Sequence, residues 1–396
     1  MTKPLGFVKI RPESPLTSGN VPWVRAPARI LPAAPRRDGR RTPQWPDVTT
    51  PLPDLLRQQG DPSRQWVEQA IFGTSEPDQI AECITGAVHD LVGVPVRGGV
   101  FYGASAGCVF GLELADDQLL VCKVYQAHWE MPFLQATQRV QRILRLRGFP
   151  CPDPIAGPVR VGRGLAALES FLPDSGMARP DDNALLERSV AGLVELIAAA
   201  RGVDHGGLDR HPFRTAPGQI YPTPHSPIFD LVGTSPGAEW IDDVARAAWR
   251  QRERPGLPLV IAHMDWSARN VRIDQGGVSA VYDWDSLSLA PEAVAAGQSA
   301  ATWRSTGEAD DRPAPDGEEI DRFLYAFGTA RGTALSDTEW SVARAAAVWV
   351  MAYAARCEHA LEQRTPYVRR RARDWMASQA ELLLATGGSG SMSPDQ

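Results

Sequence analysis

Ala262-His263-Met264-Asp265-Trp266-Ser267-Ala268-Arg269-Asn270-Val271-Arg272-Ile273, followed by Val278-Ser279-Ala280-Val281-Tyr282-Asp283-Trp284-Asp285, is the stretch on which the reading of this chain turns. Asp274-Gln275-Gly276-Gly277 separates two apolar runs and predicts a tight hairpin turn. A hairpin of that size brings Asn270 and Asp283 toward one end and leaves Asp265 on the loop that leads into it. Two oxygen ligands facing one place suit a hard cation carrying phosphates, with a hydroxyl to be activated beside it. Phosphoryl transfer asks mainly for positioning and charge neutralisation, so Mg2+ ligands and one hydroxyl-orienting carboxylate can suffice. By spacing alone, the same stretch reads equally as a surface hairpin.

The pattern His-x-Asp-x-x-x-x-Asn, then Asp-Trp-Asp starting thirteen residues after the Asn, resembles the catalytic and metal-binding motifs of the aminoglycoside phosphotransferase family. The resemblance spans roughly residues 80 to 385. It implies an α+β, bilobal protein-kinase-like fold, with a small β-rich N-lobe and a large, mainly helical C-lobe. It implies a kinase that moves the γ-phosphoryl group of ATP or GTP onto a hydroxyl of an aminoglycoside, sugar, amino sugar or alcohol. Asp265 matches the family's catalytic base, and Asn270 and Asp283 its Mg2+ ligands. His263 matches the histidine that braces the catalytic loop, with use as a base its alternative; Trp284 and Asp285 match framework positions beside the site. Ser267 stands where kinases that modify proteins carry a lysine, which fits a small acceptor, and Arg269 has phosphate, substrate carboxylate and solvent as destinations.

Upstream, Gly103-Ala104-Ser105-Ala106-Gly107 lies between two strand-like runs, so a loop there can bring backbone amides close to phosphates; a plain turn is the other reading. Gln118 to Tyr125 reads as a third strand with Lys123 inside an apolar run, where a lysine either snorkels from an edge or points into a site. The resemblance implies that Gly103, Ser105, Gly107 and Lys123 face the donor phosphates. A helix over 131 to 147 follows from the spacing of Phe133, Ala136, Val140, Ile143 and Leu144. Kinase-like proteins hold the strand lysine with a glutamate on this helix, but here that position falls near Gln138, which can hydrogen-bond and cannot balance charge. Glu130 is the nearest acidic substitute. Val159 to Pro173 reads as two strands running into a hinge, where the resemblance implies that Glu169, Ser170 and Phe171 hold the purine, chiefly through main chain. The glutamine keeps a second reading open, a nucleotide-binding scaffold or regulator without turnover. A protein kinase is disfavoured by Ser267 and by the lack of an activation segment after Asp285.

Composition narrows the class. A formal net charge of −6 gives no support to nucleic-acid binding. Five cysteines without a CxxC pair suit a reducing, cytoplasmic setting. The first residues lack the apolar core of a signal peptide, and no apolar run reaches the roughly 18 residues of a membrane span. The partners expected are therefore a hydroxyl-bearing small molecule and, in a homodimer, a second copy; a monomer is equally compatible. The chain divides into a Pro/Arg-rich extension (1–50), N-terminal helices (51–95), a nucleotide-binding lobe with its hinge (96–173), a C-lobe (174–386) and a flexible tail (387–396). Residues 204–236 form a proline-punctuated insertion of the kind that serves binding or closure, and His205 takes the place of a family histidine treated as structural. Glu292, Glu308, Asp310, Asp311, Glu318, Glu319 and Glu358 are either a solvated acidic face or a reader of a cationic acceptor, with Glu358 singled out by its apolar helix.

Overall fold

A computed structural model describes residues 49–172, 183–305, 314–364 and 371–385. Most of the Pro/Arg-rich extension, the C-terminal tail, Glu308, Asp310 and Asp311 lie outside the described residues. The described chain opens with three helices, α1 (Leu52–Gln59), α2 (Gln65–Phe72) and α3 (Pro77–Val92). Proline at the first position of α3 costs no hydrogen bond, and Gly93, left-handed at φ 75°, ends the helix with its N–H on the His89 carbonyl.

An antiparallel sheet follows, built from β1 (Val96–Ala104), β2 (Cys108–Leu114), β3 (Leu119–Tyr125), β4 (Pro154–Val161) and β5 (Gly164–Ser170) in the order β1-β2-β3-β5-β4. Strand alternation divides β3 between two environments. Leu120, Cys122 and Val124 join Phe110, Leu112, Ile80 and Ile84 in the core between the sheet and α1 to α3. Val121, Lys123 and Tyr125 take the other face. Each buried Leu, Ile or Val is worth about 1.5–3 kcal/mol, so a one-residue slip of β3, which would put Lys123 into that core, is strongly resisted.

Between β3 and β4 runs α4 (Met131–Leu146). Its Phe133, Val140 and Leu144 are fully buried in the second, larger core, so by packing the helix is shared with the C-lobe. That lobe contains α5 (Asn183–Ala199), α6 (Glu239–Arg252), β6 (Leu259–His263), β7 (Val271–Asp274), β8 (Gly277–Val281), β9 (Leu287–Pro291), α7 (Glu292–Thr302), α8 (Gly317–Ala330), α9 (Asp337–Glu362) and α10 (Arg371–Ala385). The fold is bilobal and α+β. Capping boxes at Asp316/Glu319 and Ser336/Glu339 start α8 and α9. On α7 a side chain at Gly297 would meet the Ala343 carbonyl of α9 at 1.9 Å, so glycine opposite an alanine-rich helix lets the two backbones touch.

The insertion is stitched to α9. Trp349 Nε1 donates to the Ile220 carbonyl at 2.7 Å, and Arg356, 1 % exposed, pairs with Asp242 at 2.9 Å and donates to the carbonyls of Leu231 and Thr234. His359 Nε2 lies 3.1 Å from the Pro236 carbonyl. Of the four acidic residues singled out from sequence that are described, three have structural partners. Glu358 accepts the backbone N–H groups of Ala372 (2.9 Å) and Arg373 (3.1 Å) and so caps α10, Glu292 pairs with Arg331, and Glu319 completes its capping box; Glu318 is exposed.

Candidate active site

The hairpin forms with Asp274 opposite Gly277, so Gln275 and Gly276 make the turn. At its open end the Tyr282 N–H donates to the Asn270 carbonyl at 2.8 Å, which sets Asn270 and the residues after β8 side by side. Asn270 Nδ2 donates to both the carbonyl (2.9 Å) and Oδ2 (2.8 Å) of Asp265, tying the loop carboxylate to the hairpin. Burial pushes the Asp265 carboxyl up and the neighbouring Asp283 charge pushes it further; His263 and the Asn270 bond oppose them without reversing the shift.

His263 is completely buried at the end of β6. Its Nε2 donates to the Tyr282 carbonyl at 2.9 Å, its ring meets Trp266 and Trp284 edge-on with centroids 6.0 Å away, and Nδ1 has no partner. Burial lowers its pKa, which keeps the ring neutral. Trp266 Nε1 is held by Ser189 and Trp284 Nε1 by the Val281 carbonyl, so both indoles are framework. Ser267 is buried, whereas Arg269 is exposed and its N–H is bound to the Ser305 carbonyl.

Lys123 reaches this point from the other lobe. Its Nζ lies 3.0 Å from Asp283 Oδ1 and 3.0 Å from Asp285 Oδ1. Asp283 sits in the left-handed region at φ 62°, a conformation aspartate tolerates better than most residues, and the chain tightens into a 3-10 turn over Trp284–Ser286. Burial favours neutral carboxyls here, yet the ammonium of Lys123 and the bonds to Lys123 and Asp285 hold Asp283 well below the usual carboxylate range. Its neighbour shows the opposite result: burial and the Asp283 charge raise Asp285 to about 7 against the pull of Lys123. Burial also works against the ammonium, but the two carboxylates outweigh it and Lys123 stays charged.

The β1–β2 turn closes with the Ser105 N–H on the Gly107 carbonyl at 2.8 Å, and Gln126 Nε2 ties Ala106 O to the end of β3. A side chain at Gly107 would meet the Val124 carbonyl at 2.6 Å; at Gly103 it would meet open space. Close packing explains the first glycine, whereas the second leaves backbone uncovered. At the hinge, Phe171 packs edge-on against Phe101 of β1 with centroids 6.1 Å apart. Glu169 is 9 % exposed, its carboxyl turned inward beneath the sheet and accepting from Gln141 at 3.4 Å.

Asn270 and Asp283 fit a magnesium ion. The Asn270 amide spends its Nδ2 on Asp265, leaving Oδ1 for a ligand, and Asp283 supplies a second hard oxygen.

A family profile described as the Phosphotransferase enzyme family matches residues 109–345, from β2 into α9, a span that takes in Lys123, Glu169, His263, Asp265, Asn270, Asp283 and Asp285 and begins after the β1–β2 turn. The chain belongs to this family. It is a phosphotransferase acting on a hydroxyl group. No curated protein matches the sequence. Among solved structures, an amicoumacin kinase in complex with AMP-PNP, Ca2+ and Ami is similar over 72 % of this chain and 87 % of its own, at 12 % identity and a TM-score of 0.54. That likeness is one of fold. A spectinomycin phosphotransferase in complex with ADP and spectinomycin covers 77 % and 98 % at 11 % identity (TM-score 0.47). A putative fructosamine-3-kinase from Thermobifida fusca covers 76 % and 98 % at 16 % identity (TM-score 0.42).

Several residues of this phosphotransferase take parts that the sequence did not suggest. Asp285, read as framework, bonds Lys123 directly; its spacing of two from Asp283 is the one signal that pointed there. Glu130, the acidic substitute named for holding Lys123, is half exposed and pairs with Arg210 at 2.9 Å. Gln138 does lie beside Lys123, lining the same small cavity, but its Nε2 donates to the Ala156 carbonyl at 3.3 Å. His205 is exposed, and the histidine beside the site is His211, whose Nε2 lies 3.0 Å from the Asp285 carbonyl; burial lowers its pKa to about 4. No pattern within residues 204–236 distinguishes His211 from its neighbours.

Proposed function

We propose that this phosphotransferase is a small-molecule kinase that transfers the γ-phosphoryl group of ATP or GTP to a hydroxyl of an aminoglycoside, sugar, amino sugar or alcohol. The observation that carries the reading is the meeting of Lys123, from the third strand of one lobe, with Asp283 and Asp285 of the other, beside the Asp265–Asn270 pair. Lys123 holds the α- and β-phosphates, the turn bounded by Gly103, Ser105 and Gly107 offers backbone amides, and the hinge at Glu169 to Phe171 holds the purine. Asn270 and Asp283 would hold Mg2+, which would supply charge neutralisation for the donor phosphates. Asp265 orients the acceptor hydroxyl and takes its proton as the acceptor oxygen bonds the γ-phosphorus and the bond to the β-phosphate oxygen breaks, releasing the nucleoside diphosphate. His263 keeps the loop in place and takes no proton, in keeping with its burial.

A screen of hydroxylated antibiotics, sugars and amino alcohols with γ-labelled ATP and GTP tests the reading. Asp265→Ala should cost about 10²- to 10⁴-fold in turnover with little loss of nucleotide affinity; a variant keeping most of its turnover removes the assignment. Asp283→Ala should weaken Mg-nucleotide binding in calorimetry, and unchanged affinity takes it out of the metal site. Nucleotide binding with no transfer to any acceptor and no hydrolysis would instead favour the scaffold reading that Gln138 motivates.

A further inference from the structure

Lys123 lies opposite Ala167 across the β3–β5 ladder and Glu169 lies opposite Val121, so both side chains leave the same face of the sheet one diagonal step apart, within reach of long side chains. They share the wall of a cavity of about 20 Å³ with Thr137, Gln138 and Gln141 of α4. That space suits a single water. Three facts mark the cavity as a built polar site. Glu169 is buried with its carboxylate on Gln141 at 3.4 Å, Thr137 Oγ1 is buried without a partner among the described residues, and Gln138 spends its Nε2 on the Ala156 carbonyl. Burial raises the Glu169 pKa, and the nearby Lys123 charge and the Gln141 bond oppose that without reversing it.

We infer that Glu169 is the positioning residue for Lys123, a carboxylate on β5 doing from the sheet what α4 cannot do with Gln138. This rests on the phosphotransfer reading. Lys123 is bound to Asp283 and Asp285. A Mg-nucleotide occupying Asp283 withdraws one of those partners, and the ammonium then needs a carboxylate behind it while it faces the phosphates. Glu169 is placed for that, directly or through one water in the cavity, and Gln141 holds it to α4.

The test uses the full chain and calorimetric titration with Mg-ATP, Mg-GTP, adenosine and guanosine. Glu169→Gln keeps size and removes charge. It should weaken whichever triphosphate the wild type binds by roughly tenfold to a hundredfold, the scale of one charge-assisted contact. Binding of the matching nucleoside, which has no phosphates for Lys123 to meet, should change by no more than about twofold. Adding Gln138→Glu to Glu169→Gln should restore most of the loss, and Glu169→Asp should fall between wild type and Glu169→Gln, supplying the comparison if the glutamine variant folds poorly. Unchanged triphosphate affinity, an equal loss for nucleoside and triphosphate, or no rescue by Gln138→Glu would each overturn the inference. A wild type that binds neither triphosphate brings down the phosphotransfer reading as well; a wild type that binds one of them, and a variant that binds it equally, brings down this inference alone.

Discussion

Replacing Lys123 with methionine removes the only cation bonded to Asp283 and Asp285 among the described residues while leaving a stem of similar shape. The side chains of Lys123 and Asp285 keep 11 % and 18 % of their exposure, but that of Asp283 keeps 43 %. Breaking a fully buried pair costs about 3–5 kcal/mol, and screening at the exposed carboxylate reduces this to about 2 kcal/mol near neutral pH without nucleotide. The pH dependence carries the sharper test. Asp283 has a depressed folded pKa, so its contribution is present above the unfolded value of about 3.9 and is lost as pH falls through the folded one. Asp285, raised to about 7, acts in the opposite sense, costing stability as pH climbs from about 4 toward 7. Without Lys123 both carboxyls shift upward, so the variant should lose most against wild type at pH 7 to 8, and the gap should narrow as pH falls toward 5. Thermal unfolding of both proteins from pH 5 to 9 measures it. A methionine variant equal to wild type in Tm across that range, or one whose deficit grows on acidification, refutes the electrostatic account of this cluster.

Three further substitutions probe local structure. Gly107→Ala puts a methyl 2.6 Å from the Val124 carbonyl; a loss of about 1–3 kcal/mol with weaker nucleotide binding is expected, whereas Gly103→Ala, facing open space, should leave Tm unchanged. Equal Tm values for the two variants would contradict the packing argument. Ser336→Ala removes the side chain that accepts the Glu339 N–H at the start of α9 and should lower stability by about 1 kcal/mol, read as a shift in denaturant midpoint at constant slope.

The local elements were legible because local rules produce them. Aspartate, glutamine and two glycines between apolar runs favour a hairpin by local dihedral preference, and the apolar period of 131–147 matches α4. The motif residues 265, 270 and 283 are linked by that hairpin, so their convergence follows from contacts within one short stretch. Gln138, which the family resemblance put near the strand lysine, lines the same small cavity as Lys123.

Which charge answers which was decided by tertiary structure. From the sequence alone came Lys123 within an apolar strand, the hairpin that gathers the loop carboxylate and its amide, and the absence of a carboxylate at position 138. It had no means of choosing Asp285 over Glu130 as a partner for Lys123. That choice depends on how two separately folded cores face one another, bringing together groups 162 positions apart in the chain. Nor could it turn the Glu169 carboxyl inward, because the direction of a strand side chain acquires meaning only when the helix packed beneath it supplies a polar floor. Periodicity records where a side chain leaves the backbone; what it meets is a property of the assembled protein.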